Sequence, residues 1–208
     1  MLERSLNKMT GQKKILYGLV LVGGKSKRLK KDKASLVFHQ KEQYWHCYDL
    51  LMPFCEKVFL SLADVSGDNK FTKDLPRIYD QNPYFDIGPM GGILSAMESY
   101  PNASWLVLAC DLPCVRSQTI ANLIEHRDES KLITAYGSAV DQLPEPVCAV
   151  YEKESVFALK KKVQIKKYCL RKFMIESEAN IIALLNPNDL LNVNTPEDYQ
   201  AVVNQLEV

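Results

Sequence analysis

The sequence predicts a three-layer α/β fold with a mostly parallel central sheet, and three observations predict it. Apolar runs of five to eight residues recur along the chain. They are apolar on both faces, as strands buried in a parallel sheet must be. Segments with helical patterning lie between them, which implies right-handed βαβ units.

The first run is Ile15–Val22, ending in Gly23-Gly24. Lys57–Leu62 is the second, and Trp105–Ala109 is the third, stopped by Cys110-Asp111-Leu112-Pro113. Leu132–Tyr136 and Val147–Tyr151 follow. Helices are expected over Gln43–Phe54, Gly92–Ser99, Ser117–His126, Lys153–Lys162 and Pro196–Gln205. The last is well marked. Thr195 suits the N-cap, Pro196 the first helical position, and Glu197 and Asp198 the positive end of the helix dipole.

With 208 residues and neither linker nor internal repeat, residues 15–208 read as a single domain. Residues 1–14 read as a frayed, flexible N-terminus. Apolar residues at 47% and charged residues at 25% exclude a disordered chain. A net charge of +1 argues against a general nucleic-acid binder. No apolar run approaches the roughly 18 residues that span a membrane, and the first fourteen residues lack a secretory apolar stretch. The six cysteines show no C-x-x-C pair, so they read as reduced. A cytoplasmic protein is the expectation.

In an open α/β sheet, ligands sit at the carboxyl ends of the strands. Four segments there carry chemistry. In Leu21–Lys33, two glycines follow a strand and six cations fall within the next nine residues. Glycines let backbone N–H groups approach a ligand, so this is a cradle for a polyphosphate. It matches neither the P-loop nor the dinucleotide fingerprint. The plainer reading is a solvated basic loop, and its place after the first strand argues against that. Asp80 and Asp86–Ala96 form the second segment. Three glycines and a proline force a turn before a helix, either to receive an anion or base edge or to satisfy packing. Asp111, after a strongly apolar strand, is placed to hold Mg²⁺, which takes one or two carboxylates plus substrate phosphates and waters. Such an aspartate is also a common turn former. In Asn192–Glu197 the helix cap does not require Asn194, which leaves it as a side-chain ligand near metal or phosphates.

From about Tyr17 to Leu206 the chain resembles the molybdenum cofactor guanylyltransferases, Rossmann-like enzymes of the nucleoside-triphosphate-transferase superfamily. The resemblance rests on L-x-G-G-x-S-x-R-x-x-x-D-K at Leu21–Lys33, G-P-x-x-G at Gly88–Gly92, C-D-x-P at Cys110–Pro113 and N-V-N-T-P-E at Asn192–Glu197. It implies that Leu21, Gly23 and Gly24 bind nucleotide through backbone groups, with Arg28 and Lys33 on its phosphates. It further implies Asp80 at the nucleotide site and Asp111 holding Mg²⁺ with Asn194 close by. The implied reaction is Mg²⁺-dependent attack of a molybdopterin phosphate on the α-phosphorus of GTP. Pyrophosphate leaves and molybdopterin guanine dinucleotide forms. Other molybdenum cofactor biosynthesis proteins would be its partners.

The chain departs from the family pattern at three places. Lys30 replaces a glycine, Gln40-Lys41-Glu42 replaces G-K-P, and Ser61-Leu62-Ala63 stands where an asparagine is usual. The last bears on base choice, since an unpaired buried edge costs roughly 1–3 kcal/mol. A basic stretch, Lys160–Lys162, Lys166-Lys167 and Arg171-Lys172, lies beside Tyr168 and Phe173. It is either a solvated helix face or, at Arg171 and Lys172, a site for an anionic aromatic acceptor. Pro144-Glu145-Pro146, just before a strand, is expected to shape the same pocket without a catalytic role. Two alternatives stay open. One is a nucleotidyltransferase of this fold using CTP or UTP on a sugar or alcohol phosphate. The other is a nucleotide-binding accessory protein without turnover.

Overall fold

The computed structural model describes residues 15–22, 33–65 and 74–206. In chain order, β1 (Leu16–Leu21) precedes a 3-10 turn (Lys33–Ser35) and a small hairpin of β2 (Val37–Phe38) and β3 (Lys41–Glu42). Next come α1 (Gln43–Leu51), continued by a 3-10 turn at Met52–Phe54, then β4 (Lys57–Leu62), β5 (Arg77–Tyr79) and α2 (Pro89–Ser99). The second half holds β6 (Ser104–Ala109), α3 (Ser117–Glu125), β7 (Ile133–Gly137), β8 (Pro144–Tyr151), α4 (Ser155–Gln164) and α5 (Leu170–Glu176). It closes with β9 (Asn180–Ile182), a 3-10 turn (Pro187–Leu190) and α6 (Pro196–Leu206).

Seven strands make one sheet in the order β5-β4-β1-β6-β8-β7-β9. The chain winds outward from β1 through β4 to β5, then crosses back to place β6 on the other side of β1. All neighbours pair parallel except β8, which is antiparallel to both β6 and β7. This corrects the expectation that Val147–Tyr151 lies parallel. Only residues 138–143 separate β7 from β8. A hairpin turn fits that gap; a crossover helix, which needs a dozen residues or more, does not.

The sheet separates two cores. On β6, Leu106 and Leu108 join Tyr44, Cys47 and Leu51 of α1 and Ile120 and Leu123 of α3. Trp105, Val107 and Ala109 join Met90, Ile93, Leu94 and Met97 of α2, Leu159 of α4 and Phe173 of α5. Both faces of β6 are covered, so all six of its residues are buried. That is why its sequence reads as a continuous apolar run. A smaller cluster of Leu36, Phe38, Cys114, Val193 and Val202 fixes the β2–β3 hairpin and α6 to the sheet's carboxyl edge.

The elements that sequence patterning misses are β2, β3, β5, β9 and α5. The four strands are two or three residues each, too short to show a period. α5 has seven residues inside a stretch dominated by lysines.

Candidate active site

The strand order reverses between β1 and β6, so the crevice outside their carboxyl ends is the expected ligand position. The sheet closes tightly there. The Cys110 amide donates to the Leu21 carbonyl at 3.2 Å, and the Val22 amide donates to the Ser61 carbonyl at 3.3 Å. Gly23, Gly24 and Arg28, and the neighbouring Lys30, lie outside the described residues, as does the side chain of Lys33. Their attachment points are described: β1 ends at the switch point, and the chain re-enters at the 3-10 turn beginning at Lys33.

Asp80 follows β5, and its amide donates to the Leu62 carbonyl at 3.0 Å. Burial pushes its carboxyl up to about 6. It borders the start of α2, where a Cβ built on Gly91 would lie 3.3 Å from the Asp80 Oδ2. The helix begins at Pro89, three residues before the expected Gly92, with proline in its first turn. Gly88 is the turn glycine, with φ of 70°. Gly91 and Gly92 belong to the helix and serve close packing. Their Cβ atoms would meet the Tyr84 carbonyl and the Ser61 hydroxyl, both at 2.3 Å. The loop before the helix is pinned to it, since the Gln81 amide donates to Ser95 Oγ at 2.9 Å and Tyr84 OH donates to Glu98 at 2.9 Å. The packing reading of this segment therefore accounts for two of its three glycines. Ser61 lies in β4 under α2 and is buried, so its hydroxyl faces the helix.

Asp111 sits in the turn after β6 and is half-buried. Its carbonyl accepts the Val193 amide at 2.9 Å, which brings the Asn192–Thr195 segment to the same edge. The cap of α6 forms as expected. Thr195 Oγ1 accepts the Asp198 amide at 3.2 Å, while Asp198 Oδ2 accepts the Thr195 and Asn194 amides at 2.9 Å.

Because β8 runs backwards, its first residues reach this edge. Extending the β6–β8 register from Leu108↔Cys148 sets Asp111 opposite Glu145. Glu145 is 7% exposed. Burial chiefly raises its carboxyl, and Asp111 adds to the rise, while the Val147 amide and Arg171 pull it down. Arg171 Nε donates to the Pro144 carbonyl at 3.1 Å. Its terminal nitrogens stand 3.7 Å from Glu145 and 3.8 Å from Asp141. Pro144-Glu145-Pro146 is thus part of β8 itself, at the edge, rather than a lead-in to it. Lys172 is exposed, and its charge acts on Glu176.

The basic stretch is mostly a solvated face, two of whose lysines are paired. Lys160 bridges to Glu98 at 2.6 Å and Lys162 pairs with Glu176. Arg171 is its member at the carboxyl edge.

The β2–β3 hairpin adds a feature that no spacing signals. His39, at its tip, lies 2.9 Å from the Pro113 carbonyl through Nε2 and stacks on His46 with ring centres 4.1 Å apart. Burial chiefly, then the His39 charge, hold His46 down to about 4.

No group of three or more His, Cys, Asp or Glu side chains able to hold a metal ion occurs among the described residues. Asp111, a single half-buried carboxylate at the switch point, is instead a sparse oxygen donor. That chemistry fits Mg²⁺, which completes its shell with phosphate oxygens and water.

Residues 18–180 match the family model of the MobA-like NTP transferase domain. A protein of Synechocystis sp. described as a molybdenum cofactor biosynthesis bifunctional protein is 35% identical over 96% of this chain. The chain spans only 57% of that relative's length. A probable molybdenum cofactor guanylyltransferase of Flavobacterium johnsoniae is 24% identical over 88% of each chain. The crystal structure of molybdopterin-guanine dinucleotide biosynthesis protein A from Archaeoglobus fulgidus superposes with a TM-score of 0.74 at 19% identity, covering 92% of this chain and 98% of that one. At that identity it supports the fold: a seven-stranded, mostly parallel sheet flanked by helices, as in nucleotidyltransferases. The chain belongs to the MobA-like NTP transferase family.

Proposed function

We propose that this chain transfers GMP from GTP to molybdopterin, or the molybdenum cofactor, in a Mg²⁺-dependent reaction that releases pyrophosphate. The observation that carries this is the convergence of Asp111, the Asn192–Thr195 segment and the end of β1 at the switch point. The relatives named as molybdenum cofactor guanylyltransferases support the choice of substrates.

The chemistry is a displacement at the α-phosphorus. A phosphate oxygen of the acceptor forms the new P–O bond, and the bond between the α-phosphorus and the bridging oxygen to the β-phosphate breaks. Alignment and charge neutralisation carry most of the work. Backbone groups of Leu21, Gly23 and Gly24 hold the nucleotide, and Arg28 and Lys33 neutralise its phosphates. Asp80 lies beside it. Asp111 holds Mg²⁺, with Asn194 adjacent. The ion, when bound, supplies Lewis-acid stabilisation of the charge on the α-phosphate and the leaving group. A phosphate nucleophile is already ionised near neutral pH and needs no general base. Arg171 offers its guanidinium to the anionic acceptor.

A cytoplasmic setting is part of the proposal and agrees with six free cysteines. No helix among the described residues is long and apolar enough to cross a membrane. Acceptor supply by other proteins of molybdenum cofactor synthesis belongs to the same proposal.

The test is calorimetric binding of GTP, CTP, UTP and ATP with and without Mg²⁺, followed by pyrophosphate release with molybdopterin. Selective, Mg²⁺-assisted GTP binding is expected. A preference for CTP or UTP would move the acceptor to sugar or alcohol phosphates. That outcome has a motive in the sequence, since Ser61-Leu62-Ala63 stands where the guanylyltransferases tend to carry an asparagine, and Ser61 is buried under α2. Binding of none of the four would point to an accessory protein.

A further inference from the structure

Asp189 is 2% exposed, yet it carries a carboxylate. It belongs to the 3-10 turn Pro187–Leu190. Its partners stand 70 and 73 residues upstream, at the start of α3. Thr119 Oγ1 donates to Oδ2 at 2.5 Å, and Arg116 donates to Oδ1 through Nε at 3.1 Å and through a terminal nitrogen at 3.0 Å. α3 is itself anchored to the sheet, because Tyr136 OH on β7 donates to the Thr119 carbonyl at 2.7 Å.

Both ends of this link lead into the candidate site. Upstream of Arg116, the turn residues 112–115 connect to Asp111, braced by the Val115 amide on the Leu112 carbonyl at 3.3 Å. Downstream of Asp189, the chain runs to Val193, whose amide binds the Asp111 carbonyl at 2.9 Å. The two segments close a ring, with the Asp189 carboxylate on one side and the Val193–Asp111 bond on the other. A buried charge is a poor route to stability alone, because its desolvation offsets most of what its partners return. It fixes geometry well, since each of its bonds is directional and expensive to break.

We infer that Asp189 is a positioning residue that holds the Asp111 turn and the Asn192–Thr195 segment at the separation needed for both to serve one Mg²⁺-bound nucleotide. The inference rests on the reading of Asp111 and Asn194 given under Proposed function.

The test compares wild type, Asp189→Asn and Thr119→Val by calorimetric titration with GTP in Mg²⁺ and in EDTA. Circular dichroism establishes that each is folded at the temperature used. Asp189→Asn keeps the shape but presents an amide donor to Thr119 or Arg116. Thr119→Val removes the bond to Asp189, and with it the 3.3 Å bond that the same hydroxyl accepts from the Arg116 amide, without altering charge, and so serves if Asp189→Asn does not fold. The expected result is a loss of roughly tenfold or more in the affinity gained from Mg²⁺, with GTP affinity in EDTA near wild type. A merely structural residue would lower the melting temperature and leave that ratio unchanged. A folded variant with the wild-type ratio overturns the positioning role and leaves the proposed function standing. A wild type whose GTP binding is indifferent to Mg²⁺ overturns the reading of Asp111, and the role of Asp189 with it.

Discussion

Gly92 allows the packing of α2 on the sheet to be tested with two atoms. An alanine Cβ there would lie 2.3 Å from Ser61 Oγ, against 3.4 Å from Leu21 Cδ2 and 3.5 Å from Ser61 Cβ. Only the hydroxyl clashes; the other contacts are ordinary. Ser61 is 5% exposed, so it escapes only by turning a buried hydroxyl or by pushing the helix outward. Overpacking of this kind costs about 1–3 kcal/mol. Replacing glycine by alanine within a helix returns up to about 1 kcal/mol. Gly92→Ala alone should therefore lose about 1–2 kcal/mol, which for a chain of this size lowers the melting temperature by about 2–8 °C. Ser61→Ala removes the clashing atom. In that background Gly92→Ala should be neutral, or stabilising by up to about 1 kcal/mol from the helix term. The double-mutant cycle, read by urea unfolding with equal m-values, should give a coupling energy of about 1–3 kcal/mol. A Gly92→Ala variant as stable as wild type, or one equally damaged with and without the Ser61 hydroxyl, would refute the contact.

Four further outcomes follow from the structure. Asp80 is raised to about 6 from 3.8, so it favours the fold as pH falls from 6 towards 4, whereas His46, lowered to about 4 from 6.5, weakens the fold over the same fall. Asp80→Asn should make melting temperature drop more steeply on acidification than in wild type, and His46→Phe less steeply. Parallel profiles for all three proteins would contradict both environments. Arg127 donates to Glu152 at 2.6 and 2.7 Å, and Ser104 Oγ joins at 2.7 Å, with the two charged side chains 10% and 3% exposed. Glu152→Leu should cost about 3–5 kcal/mol in chemical unfolding, because Arg127 is left buried without its carboxylate. At the carboxyl edge, Asp111→Ala should reduce pyrophosphate release at least about a hundredfold while the protein stays folded. Arg171→Ala should raise the acceptor KM by roughly 10–100-fold, the worth of a charged hydrogen bond, and leave GTP affinity alone.

The parts of the fold legible in the sequence are those whose signal is local. β6 reads as an apolar run because both its faces are covered, and α6 because Thr195, Pro196 and Asp198 form its cap within four residues. Asp111 was legible for the same reason, as a carboxylate at the point where a strongly apolar strand stops. The start of α2 was misplaced by three residues because glycines read as a turn. Gly91 and Gly92 are needed inside the helix, where Tyr84 and Ser61 press against it. Asp189 carried no signal, since its partners are 70 and 73 residues away and obey no period.

Strand direction explains the rest of the site. A strand at the position of β8 but parallel to β6 would bring Val150 and Tyr151 to the carboxyl edge, both buried at 0% exposure. Reversal brings Pro144 and Glu145 there instead, and with them the carbonyl and carboxylate that hold Arg171. The sign of charge beside Asp111 therefore follows from the short turn between β7 and β8. No motif records that turn, because residues 138–143 matter through their number as much as their identity. A longer insertion there, one able to carry a crossover helix, would permit a parallel strand and leave Arg171 without either partner. The proposed acceptor side thus rests on topology, while the proposed nucleotide side rests on motifs. The nucleotide side therefore remains a proposal drawn from residues 21–33, 80 and 111, while the placement of Glu145 and Arg171 comes from the sheet.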